Sequence, residues 1–298
     1  GLIPVTTQFI DVANTSPVTT LTLLVNTGAY VKLINQNLSL GTNSKFNVLS
    51  GATLDFGFDG VNGAGLNALN ITGNSGGQTF TATTGSILKI TSPYGLTTAA
   101  ASAIAGNVQT PPTGRTFDPG ATYHYIGKSA TTQVTGNAIA TAATPLAGNI
   151  IVDMETAAGQ FNASSTRTIN GTGTLEIRTG VVTDDTTNGF IGTGNLTMNS
   201  ANGRYITSKT GTQPELTGTY ALTNGTVEFA NTSSSASIRV TPEYYNVDVS
   251  GTNIISGGKN LVVNNLLKVT AANAVLTIPE EIDTANPYVV TAKKGIQV

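Results

Sequence analysis

The sequence predicts an all-β chain built as a solenoid, and three observations carry that prediction. A short motif recurs at fixed offsets: an apolar residue, Gly five positions later, then apolar residues three and two positions further on. It reads Phe46, Gly51, Leu54, Phe56 and again Phe80, Gly85, Leu88, Ile90, with a looser copy at Leu23, Gly28, Val31, Leu33. Strand-like alternation runs along the whole chain, and no apolar stripe at i, i+3, i+4, i+7 persists over three helical turns. The composition is polar without being charged: 34 Gly and 10% charged residues among 298, against roughly 25% charged residues in an ordinary soluble protein.

Each element follows from these patterns in order. Val5 to Val48 contains several short strands, punctuated by Asn14-Thr-Ser-Pro17, Asn26-Thr-Gly28 and Gly41-Thr-Asn43. The punctuating Gly and Asn tolerate the left-handed backbone that tight corners need. Phe56 to Asn74 reads as a longer corner because Gly57, Gly60, Gly63 and Gly65 crowd together. Leu96 to Ala105 could support a short helical turn or a small-residue loop. Residues 92–120 carry Pro93, Pro111, Pro112 and Pro119 and are expected to form a lateral excursion, since proline cannot donate to a strand ladder. Strands resume at Ala121. The run containing Tyr123, Val134 and Ile150 resembles the run containing Phe229, Val240 and Val247 roughly 105 residues later. The expected organisation is therefore a solenoid module over 1–120 and a second over 121–298 that continues the same stack.

In such a stack no two-strand unit buries much by itself. Coils about 4.8 Å apart bury one continuous interior column and pair each backbone group with the coil above or below. Leu54/Phe56, Leu88/Ile90, Leu175/Ile177 and Leu276/Ile278 each put two apolar residues on one side of a strand. A pair of β-sandwiches is the competing all-β reading, but 6% aromatic residues is little for sandwich cores.

Several function classes are disfavoured. A formal net charge of −2 provides no positive field, so nucleic acid is not the expected partner. The chain has no Cys and one His, which removes thiol chemistry, zinc-thiolate sites and disulfides. Its apolar runs, such as Leu21 to Val25, fall far short of the ~20 residues that span a bilayer. The start at Gly1 and the strand-turn-strand ending at Val298 read as parts of a longer or processed chain.

The candidate chemistry is sparse. Asp184-Asp185, Asp55 with Asp59, and Glu280-Glu281 with Asp283 are the acidic clusters; two or three would have to converge from neighbouring coils to make an acid/base pair or a Ca²⁺ site. A solvated turn is the simpler role for each. His124 faces away from Tyr123 and Tyr125, and no triad context surrounds it. Tyr123, Tyr125, Tyr244 and Tyr245 are the candidate glycan contacts, because an aromatic face stacks on a sugar ring. Covering the core is the alternative for the same rings. No metal or cofactor is expected.

The segments Gly51-Ala-Thr-Leu-Asp-Phe56, Gly85-Ser-Ile-Leu-Lys-Ile90, Gly106-Asn-Val-Gln109 and Arg115 to Tyr125, followed by Gln133-Val-Thr-Gly136 and Gly225-Thr-Val-Glu-Phe229, carry a resemblance. The chain resembles the repetitive secreted or surface-exposed adhesin-like proteins of Gram-negative bacteria exported by type IX secretion. That resemblance implies a right-handed parallel β-helix outside the cell, with the secretion machinery as a partner. No complete C-terminal sorting domain follows Val289, a departure from the pattern. The expected function is a non-catalytic structural or adhesive region that meets a surface polysaccharide or another surface protein. A carbohydrate-active enzyme or glycan-binding module on the same scaffold is the alternative.

Overall fold

The computed structural model describes residues 21–60, 65–73, 77–98, 105–128, 131–137, 139–233, 236–255, 260–278 and 288–298. Short strands follow one another in sets. The first sets are β1 (Thr22–Val25), β2 (Tyr30–Lys32), β3 (Leu38–Ser39); β4 (Lys45–Val48), β5 (Thr53–Asp55), β6 (Ile71–Thr72); and β7 (Thr79–Ala82), β8 (Ile87–Ile90), β9 (Val108–Gln109). Next come β10 (Arg115–Phe117), β11 (Thr122–Tyr125), β12 (Gln133–Val134); β13 (Asn149–Asp153), β14 (Gln160–Asn162), β15 (Arg167–Thr168); and β16 (Thr174–Asp184), β17 (Phe190–Ile191). The remainder are β18 (Asn195–Met198), β19 (Gly203–Thr207), β20 (Gly211–Gln213); β21 (Tyr220–Leu222), β22 (Thr226–Phe229), β23 (Ala236–Ile238); β24 (Asn246–Val249), β25 (Thr252–Ile255), β26 (Leu261–Val263); β27 (Leu267–Val269), β28 (Val275–Thr277), β29 (Val290–Ala292); and β30 (Ile296–Gln297).

Strands pair with counterparts in the neighbouring sets, and every pairing between these strands is parallel. One hydrogen-bonded path of eleven strands runs β2-β5-β8-β11-β13-β16-β19-β22-β24-β27-β30. It crosses the 120/121 position without interruption, since β11 pairs with both β8 and β13.

The repeats seen in the sequence are register partners in space. Phe46 lies opposite Phe80 and Leu54 opposite Leu88. In the looser copy Leu23 faces Phe46 and Val31 faces Leu54. The Phe46 and Phe80 rings stack at 5.7 Å, 8° from parallel. The turn glycines share one conformation, with φ of +78° at Gly28, +72° at Gly51 and +76° at Gly85. That left-handed value is why Gly recurs there, as a Cβ costs free energy at such φ.

Period-two alternation builds the interior as rows, buried along the stack and exposed at their ends, at Val31 and Ile296. Val31, Leu54, Leu88, Tyr123, Ile150, Leu175, Leu196 and Tyr220 form one row through successive registers. Phe161, Val182, Tyr205, Val227, Val247, Leu267 and Ile296 form another. The eleven-residue β16 links them: Thr174–Glu176 pair with β13 and β18, while Gly180–Asp184 pair with β19. Gly180, at φ +109°, makes the bend, where a Cβ would stand 2.6 Å from Met154 Cγ.

Residues 92–120 differ from the expected excursion. β9 pairs with β6 and β10 pairs with β7, so the segment contributes two strands to the stack. The prolines fall between the strands: Pro111 and Pro112 precede and open a 3-10 turn at Pro112–Gly114, so no ladder donor is lost within β9 or β10. Leu96 lies in a bend and not a helical turn, its carbonyl accepting from Val108 N–H at 2.8 Å, while 99–104 lie outside the described residues. Among the described residues no helix is long and apolar enough to cross a membrane.

Candidate functional site

Strand alternation decides where each candidate side chain goes. Tyr123 and Tyr125 share the inward side of β11 with the rows of Leu88/Ile90 and Ile150/Val152, and both are fully buried, as is Tyr244. Their hydroxyls donate to backbone carbonyls: Tyr123 to Asp118 at 2.7 Å, Tyr125 to Thr135 at 2.7 Å and Tyr244 to Arg239 at 2.6 Å. Burial pushes all three phenols above their usual range. The expectation that they form a sugar platform is therefore corrected, because none of the three rings has a face open to a ligand. Tyr245 alone of the four is partly exposed.

The acidic candidates do not converge either. Asp185 accepts from the backbone N–H groups of Thr187 (2.8 Å) and Asn188 (2.7 Å), closing its own turn. Asp59 accepts from Asn67 N (3.0 Å) and Nδ2 (2.7 Å), and these bonds hold its carboxyl below the usual range. Asp55 points outward, as its alternation requires, yet it is buried, because Tyr30 Oη (2.5 Å) and Gly57 N (2.9 Å) donate to it from either side. Glu280, Glu281 and Asp283 lie outside the described residues. Among the described residues no group of three or more His or acidic side chains could hold a metal ion.

Two outward-facing ionic clusters are present instead. Lys32, Asp55, Lys89 and His124 occupy one outer row on β2, β5, β8 and β11, and Lys89 Nζ sits 5.3 Å above the Tyr30 ring. His124 Nε2 stands 3.5 Å from Asp153 Oδ2, an ion-pair distance without a hydrogen bond. Burial lowers the His124 pKa, and Arg178 and Lys89 push the same way against the opposing pull of Asp153. Further along, Arg204 reaches Glu228 at 2.7 Å and Asp248 at 2.8 Å. Ser250 and Thr270 hydroxyls donate to the same two carboxylates at 2.5 and 2.7 Å.

A third cluster runs from the core to the surface, with Asp184 and Lys209 buried and Glu215 partly exposed. Tyr205, Thr207 and Lys209 alternate inward along and just beyond β19, and Asp184 lies opposite Thr207. Lys209 Nζ stands 2.9 Å from Asp184 Oδ1 and 2.7 Å from Glu215 Oε2. Tyr205 Oη donates to Asp184 Oδ2, and Phe190 N–H donates to Oδ1 at 3.2 Å. Burial raises the Asp184 pKa despite the neighbouring ammonium, whereas the two carboxylates raise that of Lys209 against its own burial. Gly189 closes the site, as a Cβ there would come within 1.6 Å of Asp184 Oδ1 and 2.6 Å of Lys209 Nζ. Sequence reasoning placed Asp184 on a solvated turn and overlooked Lys209. The inward period Tyr205-x-Thr207-x-Lys209 was the available signal.

Arg167 was also overlooked. It is almost fully buried, and its guanidinium donates to Thr135 Oγ1 (3.1 Å), to the Ile139 carbonyl (2.9 Å) and to the Gly136 carbonyl. It thereby anchors Thr135, Gly136 and Ile139 to β15. No protein-family model, no curated protein and no solved structure matches this chain.

Proposed function

We propose that this chain is a right-handed parallel β-helix serving as a non-catalytic structural or adhesive region of a secreted or cell-surface bacterial protein, handled by a type IX export machinery. What supports the reading is the eleven-strand parallel path with its in-register interior rows. At roughly 4.8 Å per strand, ten steps make a spacer about 48 Å long. One set of outward charges, Arg204 with Glu228 and Asp248, links three strands along the stack, which suits a stiff support. The expected partner is a surface polysaccharide or another surface protein.

The test is a binding screen on immobilised glycans and host or abiotic surfaces, run in parallel with a turnover assay on the same polysaccharides. Saturable binding without turnover supports the proposal, and cleavage of any polysaccharide overturns it. One observation favours a carbohydrate-active enzyme as the second reading. His124 and Asp153 approach each other on an outward face, with Lys89 and Arg178 close enough to act on His124 electrostatically. Loss of turnover in His124→Ala and Asp153→Asn would support it.

A further inference from the structure

We propose that Lys209 and Asp184 join through a self-formed isopeptide bond. The reactants are held in place before reaction: Nζ stands 2.9 Å from one carboxyl oxygen of Asp184, one bond away from the carbon it must attack. Asp184 is fully buried and Lys209 nearly so. Fixing an amine against an acyl carbon in this way is equivalent to an effective concentration of about 10⁵–10⁸ M. Gly189 leaves no space beside the pair for any side chain larger than hydrogen.

Each step has a group to perform it. Burying the Lys209–Asp184 ion pair is expensive, and moving a proton from the ammonium to Asp184 leaves a neutral amine and a neutral acid. Tyr205 Oη and Phe190 N–H donate to the two Asp184 oxygens, where they polarise the carbonyl and stabilise the tetrahedral oxyanion. The amine attacks Cγ, forming the C–N bond. Glu215, 2.7 Å from Nζ, accepts the surplus proton from the nitrogen and returns it to the departing hydroxyl. The C–O bond breaks, one water leaves, and Glu215 ends as it began. No oxidant, reductant or activating co-reactant is needed.

Other ionic pairs in the described residues lack this combination. Lys128 and Glu155 pair at 3.0 Å, but the Glu155 side chain is about half exposed. Arg204 brings a guanidinium, which is not an acyl acceptor under these conditions. In the Asp184–Lys209 cluster the product amide would tie the end of β16 to the segment after β19, covalently closing the chain between 184 and 209. The proposal is independent of the adhesive reading, because a crosslink requires no partner.

Intact-mass measurement of the purified, denatured chain tests it. The expected mass is one water below that of the sequence. Proteolysis should release a branched peptide joining the Asp184 and Lys209 segments. Asp184→Ala and Lys209→Met should both return the full sequence mass. Glu215→Gln, on a partly exposed position, should keep the wild-type circular dichroism while the water loss slows or stops. A wild-type chain at full sequence mass overturns the proposal, as does a water loss that maps to other residues or survives Asp184→Ala.

Discussion

Replacing Phe80 by Ala tests the repeat at the centre of the fold. Phe80 is fully buried, its ring 5.7 Å from Phe46, 6.3 Å from Phe56 and 5.7 Å from Phe117. Truncating a buried Phe costs about 3–5 kcal/mol, with the upper part of that range where the surroundings do not collapse into the gap. Three aromatic neighbours, each pair contributing about 0.5–1.5 kcal/mol beyond area burial, place the expectation near 4 kcal/mol. With a urea slope of about 3 kcal/mol/M, the midpoint falls by roughly 1.3 M. Leu24→Ala on β1 of the same sheet is the control, because Leu24 is 51% exposed. It should change stability by no more than about 0.5 kcal/mol. Since stacked units contact their neighbours, hydrogen exchange in Phe80→Ala should accelerate most in β4, β7 and β10 and least in β24 and β27. A Phe80→Ala loss below about 1 kcal/mol, or equal to that of Leu24→Ala, would refute the stacked register of β4 and β7.

Three further outcomes follow from named contacts. Gly85→Ala puts a Cβ at φ +76°, 2.6 Å from Ser50 Oγ, and should cost about 1–2 kcal/mol in chemical denaturation. Arg167→Met strips the donors from the buried Gly136 and Ile139 carbonyls; thermal and urea melts should register about 1–3 kcal/mol for each carbonyl left unpaired. His124 is the chain's one histidine, and its folded pKa lies below the ordinary 6.5. The unfolded chain therefore binds the proton more readily. The His124 contribution is present above pH 6.5 and is lost as the pH falls from there through the lower folded value. Denaturation midpoints measured across that window should drop in the wild type and drop less in His124→Gln. An identical pH dependence in both would remove His124 as the cause.

Much of the architecture was legible because it is written in local rules. The offsets from Phe46 to Phe56 and from Phe80 to Ile90 record a strand, a left-handed turn and a strand, and each copy lies on the next in register. Residues 92–120 were misread because proline content reports where donors are missing and says nothing of the short intervals between, where β9 and β10 pair normally. The tyrosines show the limit of alternation. It correctly set His124 against Tyr123 and Tyr125, but which side of β11 faces the core depends on β8 and β13 lying alongside.

By itself the sequence determined the all-β character, the turn positions and the rows that share a face, since all three depend on neighbours within about ten residues and on backbone sterics. The tertiary structure decided which charged groups meet. Asp184 and Lys209 are 25 positions apart, and Arg204 and Asp248 are 44 apart. Those distances collapse because each set of strands has its own length, and the loop lengths that set the register carry no regular period. Which residues share a side of a strand follows from alternation. The partner across the ladder follows from how much chain each preceding corner consumes, and that is settled when the sets stack.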